Sequence, residues 1–60
     1  MNLYIIIYIT HYKDGTYISI TTDKNLKLEE AIKKANKMNT HLWKFHQEKD
    51  KHSIHTVREM

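Results

Sequence analysis

The chain has one glycine and no proline in 60 residues. The one position where the backbone turns at positive φ without a steric penalty therefore stands out. Gly15 follows Asp14 and separates two alternating runs, YIIIYITHYK and TYISITT. An Asp-Gly pair so placed is a strong short-range hairpin signal, because a type I′ turn needs positive φ at both central residues. A two-residue turn sets Lys13 opposite Thr16, Tyr12 opposite Tyr17, Thr10 opposite Ser19 and Ile9 opposite Ile20.

That register sorts the hairpin into two faces. One carries Leu3, Ile5, Ile7 and Ile9 with Ile18 and Ile20, and reads as the core. The other carries Tyr4, Ile6, Tyr8, Thr10 and Tyr12 with Tyr17, Ser19 and Thr21. A slip of one residue would exchange the faces, so burial of the aliphatic set reinforces the register.

Beyond the hairpin, Leu28, Ala31, Ile32, Ala35 and Met38 recur at helical spacing and predict an amphipathic helix over about residues 27–38. Glu29 and Glu30 suit its first turn, where the helix dipole favours anions. Glu29–Lys33 and Glu30–Lys34 are i,i+4 pairs in the favourable orientation. Asn39 or Thr40 is expected to end it. The tail alternates again and predicts a second hairpin with a turn at Glu48–Lys51, placing Phe45 opposite Ile54 and Leu42 opposite Val57. A C-terminal helix from Glu48 is the alternative, disfavoured because the β-branched run SIHTV has no helical stripe. The expected fold is thus a single α+β domain over residues 1–60: ββαββ, a four-stranded antiparallel sheet of order 2-1-3-4. One helix packs on its aliphatic face. The apolar first strand is placed centrally because it would be hazardous at an edge.

A chain of this length buries only about 60% of its unfolded surface, so a lone core is marginal. There is no cysteine, which removes disulfides and thiolate metal sites and suits a reducing compartment. Oligomerisation, as a dimer, or a permanent partner is the expected remedy. The run LYIIIYI is too short to span a bilayer and lacks the flanks of a signal peptide, so the chain reads as soluble and cytoplasmic. Its richness in Lys, Ile, Asn and Tyr suggests an AT-rich coding sequence, as in a low-GC bacterium or its phage.

With the helix on the aliphatic face, the second face has no cover. Tyr4, Ile6, Tyr8, Tyr12, Tyr17, Leu42 and Val57 are then the expected partner-binding patch, since tyrosine offers large contact area at low entropy cost. The net charge is +3, and the single arginine, Arg58, argues against base-specific reading. Aromatic sheets also stack bases, so nucleic-acid contact through Lys13, Lys44 and Arg58 is the alternative. Lys33, Lys34 and Lys37 read as a solvated helix face. Of the histidines, His46 and His55 approach across the expected second hairpin, but two imidazoles fall short of a zinc site. A small hydrolase built on His46, His55 and Lys44 has no supporting motif. The expectation is a non-enzymatic protein-binding module, an inhibitor or modulator, with no cofactor and no metal.

The segment YIIIYITHYKDGTYISITTDKNLKLEEAIKKA resembles the strand–strand–helix start of HicB-type antitoxins, through its Asp-Gly turn followed by LEEAIKKA, over about half the chain. The resemblance implies a hairpin leading into a helix. Those proteins place a third strand before the helix, for which this chain has no room.

Overall fold

The computed structural model describes residues 2–45 and 50–60. In chain order the elements are β1 (Tyr4–Tyr12), β2 (Tyr17–Leu26), α1 (Leu28–Phe45) and β3 (Lys51–Glu59). The sheet has order β2-β1-β3, and both outer strands run antiparallel to β1. The fold is α+β with three strands, which corrects the expectation of four. Leu42 and Trp43, expected in a strand, belong to the last turns of α1. Lys51–Glu59 pairs directly with β1 and not with the Leu42–Phe45 stretch, which is helical, and it is extended rather than helical itself. The turn expected at Glu48–Lys51 lies largely outside the described residues. The hairpin-to-helix order implied by the resemblance is present, with only Lys27 between β2 and α1.

The hairpin forms where expected, but its loop is one residue longer. Tyr12 N donates to Thr16 O at 2.9 Å, and Gly15 N to Tyr12 O at 3.1 Å. Lys13, Asp14 and Gly15 make the loop, with Gly15 at φ 93°. A three-residue loop with a left-handed glycine in last place is the next commonest hairpin connection. The Asp14 carboxylate accepts from Thr16 N at 2.9 Å and from its hydroxyl at 2.6 Å, which holds the loop closed. These bonds keep the Asp14 pKa below its ordinary value.

The extra loop residue moves β2 by one position. Tyr8 now faces Ile20, Thr10 faces Ile18 and His11 faces Tyr17. Ile18 and Ile20 therefore share a face with Tyr8 and Thr10, while Tyr17, Ser19 and Thr21 join Ile7, Ile9 and His11. Two register shifts near Ile6 then bring Leu26 opposite Tyr4. Asn25, at φ 58°, makes the local bend, a conformation asparagine tolerates better than most residues.

The helix lies on the tyrosine-bearing face, packed on β3 and then on β1. This reverses the expected choice of core face. Ile6 is 0% exposed and packs with Ala31 and Ala35, with Tyr4, Leu26, Met38 and Val57 around them. Volume explains the choice. The buried stripe of α1 begins with two alanines, which let the helix approach a face carrying tyrosines and an isoleucine. Leu28 and Ile32, expected in that stripe, remain 44% and 46% exposed. The helix also continues past Asn39 and Thr40, because neither polar side chain is stranded there. Thr40 Oγ1 donates to Asn36 O at 2.9 Å, and Asn39 is bound to β3 as described below. Lys34, rather than pairing with Glu30, reaches Asp23 of β2 at 2.8 Å. An ion pair this exposed adds at most about 1 kcal/mol.

The contrast between neighbouring isoleucines tests this arrangement. Ile6→Ala should lower stability by about 3 kcal/mol, as for a fully buried aliphatic truncation. Ile7→Ala, half-buried on the other face, should lower it by about 1 kcal/mol. Urea titration of both variants reads the difference. Equal losses, or a larger loss at Ile7, would contradict the assigned core.

Candidate functional site

The residues expected to form an open tyrosine patch fall in several places. Ile6 is enclosed, and Tyr4 and Val57 are packed against it. The Tyr8 ring lies 4.7 Å from the His55 ring, centroid to centroid. Leu42 belongs to the helix and lines a pocket of about 410 Å³ with Lys37, Met38, His41 and His55. Tyr12 and Tyr17 are exposed, at 37% and 66%, but they sit on opposite faces because of the one-residue register difference. The patch as expected does not assemble, and the helix is what covers it. The basic residues do not converge either. Lys13 is in the hairpin loop and Lys44 in the last turn of α1. Arg58 pairs with Ile5 at the other end of β3 from Lys51.

The opposite sheet face is the one left open. Along β1 it presents Ile5, Ile7, Ile9 and His11, since alternate residues share a side. Pairing adds Ile54 beside Ile9, Thr56 beside Ile7, Arg58 beside Ile5 and His52 beside His11 from β3. From β2 it adds Tyr17, Ser19 and Thr21. Among the described residues, no element packs on this face. The Cα extents of 39 × 23 × 11 Å fit one sheet and one helix layer and no more. The result is an isoleucine stripe, Ile5–Ile7–Ile9 with Ile54, each half-buried by its neighbours. Threonine, serine, histidine and tyrosine surround it, and among the described residues Arg58 is the one permanent charge that β1 and β3 contribute. The His11 and Tyr17 rings meet at 5.6 Å in one corner. An apolar centre with a polar rim is the general anatomy of a protein interface.

The two edges of the sheet differ. On β3, Asn39 of the helix acts as a substitute strand: its Nδ2 donates to His55 O at 3.0 Å, and its Oδ1 accepts from His55 N at 2.6 Å. One turn later, Trp43 Nε1 donates to Ser53 O at 3.2 Å. Asn39 Oδ1 also lies 2.9 Å from His55 Nδ1. A carbonyl oxygen only accepts, so the neutral ring carries its proton on Nδ1. Beneath this clamp, the Thr10 and Ser53 hydroxyls are bonded at 2.9 Å. Nothing in the alternation of the tail announces the clamp, because Asn39 and its partner are 16 residues apart. The histidines separate as their spacing implies, His52 on the open face and His55 on the helix side. The pairing expected of His46 with His55 lies outside the described residues. No group of three or more potential metal-ligating side chains occurs among the described residues, and no helix there is long and apolar enough to cross a membrane.

Burial holds the His55 pKa below its ordinary value of 6.5, opposed in part by the charge of Asp23. Lys37 and His41 line the same pocket. The unfolded chain thus takes up this proton more readily than the folded one. Stability linked to His55 is complete above about pH 6.5 and is lost as pH falls from there through the lower folded-state value. Asp23, whose pKa is lowered chiefly by its hydrogen bond to Lys34, adds a further loss only below the ordinary aspartate range.

Two outcomes follow. Asn39→Ala leaves the outward N–H and C=O of His55 unpaired, so stability should fall by about 2 kcal/mol and the His55 amide should exchange faster with solvent. Unchanged exchange at His55 would count against the clamp. Urea midpoints should fall between pH 7.5 and 5.5, and His55→Gln should flatten that slope; a slope unaltered by the substitution would refute the assignment to His55. Compared with family models, curated proteins and solved structures, the chain has no match.

Proposed function

We propose that the chain is a small non-enzymatic protein-binding module, an inhibitor or modulator that occupies an apolar surface of another protein. Its contact surface is the uncovered isoleucine face. The observation that carries this reading is the stripe Ile5–Ile7–Ile9–Ile54 lying on the side of the sheet away from α1. The shifted titratable groups are each occupied in holding the fold: Asp14 closes the hairpin loop, Asp23 ties β2 to the helix and His55 sits in the edge clamp. Among the described residues, β1 and β3 place no acidic side chain on this face, and it ends in Arg58. The partner that fits is therefore apolar at its centre with a carboxylate at its rim.

The small core supports an assembled working state. The buried apolar residues are Ile6, Ala31 and Ala35 among those described. A domain with so little buried volume gains its margin by binding, through mass action. Self-association as a dimer belongs to the same reading, as does a location in a reducing, cytoplasmic compartment. Nucleic acid is disfavoured as the occupant of this face. Phosphate recognition calls for a basic track, and among the described residues Arg58 is the one lysine or arginine that β1 and β3 place on this face.

Affinity capture from the native host, with the intact chain and with an Ile7→Ser/Ile9→Ser variant, tests the proposal. The intact chain should retain a specific protein and the variant should lose at least about tenfold of it, the equivalent of about 1.4 kcal/mol. Retention of the same protein by both, or recovery of nucleic acid in its place, would overturn the reading.

A further inference from the structure

We infer that the outer edge of β2 pairs antiparallel with β2 of a second copy, in the register that sets Ser19 opposite Ser19. The inference rests on the self-associating part of the function proposed above and concerns a different surface from the isoleucine face.

The main-chain directions come first. Tyr12 N donates to Thr16 O, so the even-numbered residues of β1 near the hairpin turn their main chain toward β2. The odd-numbered ones turn toward β3, as Lys13 N to Asp50 O and Met60 N to Leu3 O show. By the alternation of an antiparallel ladder, Thr16, Ile18 and Ile20 bond to β1. Tyr17, Ser19 and Thr21 then point their N–H and C=O groups away from the sheet. Among the described residues, no element lies beyond β2 to receive them.

The opposite edge shows what protection looks like in this fold. There Asn39 and Trp43 take up the outward groups of His55 and Ser53. On β2, Thr16–Thr22 contains no charge, proline or glycine, and the register shifts begin only beyond Thr21. None of the usual devices against edge pairing is present along this stretch. Ile18 and Ile20 on its helix side are 57% and 59% exposed, beyond the reach of α1.

The sequence of this edge is self-complementary about Ser19. In that register Tyr17 faces Thr21, and Ile18 faces Ile20 of the second copy. The reciprocal pair completes a cluster of four isoleucines. Centring on Ile18 or Ile20 would instead set one isoleucine opposite a threonine. The two-fold axis is then perpendicular to the sheet. Both helices lie on one side, and the two isoleucine faces join into one continuous surface on the other.

Sedimentation equilibrium on the intact chain, with far-UV circular dichroism as a check of folding, tests this. The intact chain should sediment at twice its mass of 7.3 kDa. Ser19→Pro removes an N–H that faces away from β1, and Ile20→Lys places a charge on an exposed edge position. Both variants should keep their folded spectrum and sediment at the monomer mass, while Ile7→Ser should stay dimeric. Because the chain has no cysteine, nitroxides placed through Ser19→Cys and Thr16→Cys report the register. Labels at position 19 should be in close contact, with those at position 16 about 20 Å apart, six residues of strand. A monomeric intact chain would overturn the inference, as would dimers that survive both edge substitutions or distant labels at position 19. Loss of the dimer in Ile7→Ser with the edge variants still dimeric would move self-association to the isoleucine face and overturn the edge while leaving the proposed contact surface standing.

Discussion

The packing of Ala31 and Ala35 on Ile6 decides which side of the sheet is core. The hairpin offers two faces with apolar content, and one helix can cover only one of them. Two small residues a turn apart bring the helix axis close to the strand beneath. The face that accepts it carries Ile6 between Tyr4 and Tyr8, whose rings fill space at the flanks and whose hydroxyls can reach the boundary with water. A helix seated on β3 and β1 leaves β2 uncovered on one side and the isoleucine stripe uncovered on the other.

The same seating explains the contrast between the sheet edges. With α1 lying along β3, Asn39 and Trp43 fall within reach of the outward main chain of that strand. The helix therefore contributes packing and edge protection from neighbouring positions. On β2 it contributes neither beyond the tie from Lys34 to Asp23. Among the described residues, the sheet is thus closed on one edge and one face, and open on the others. That polarity is the physical basis for reading it as a module that works against another surface.

The hairpin was legible because a lone Asp-Gly between alternating runs admits few alternatives. Its register was not, because the same dipeptide serves a two-residue loop and the last two places of a three-residue loop. Only whether Tyr12 pairs with Thr16 or Tyr17 separates them, and that one step put Ile18 and Ile20 with Tyr8. The start of the helix was legible from Glu29, Glu30, Ala31 and Ala35. Its end was obscured by Asn39 and Thr40, which favour caps and turns when taken alone. Here the tertiary contact of Asn39 with His55 outweighs that preference. For the sheet faces, the pattern held two with apolar content and one helix to cover them. Which face the helix takes depends on complementary volume, which periodicity does not encode.

Methyl contacts in solution test the central assignment most directly. In a nuclear Overhauser spectrum of methyl-labelled protein, the Ile6 methyls should show strong cross-peaks to the methyls of Ala31 and Ala35. Ile5, Ile7 and Ile9 should show none to either alanine. Cross-peaks from Ile5, Ile7 or Ile9 to Ala31 and Ala35, with Ile6 silent, would place the helix on the isoleucine face and contradict the account.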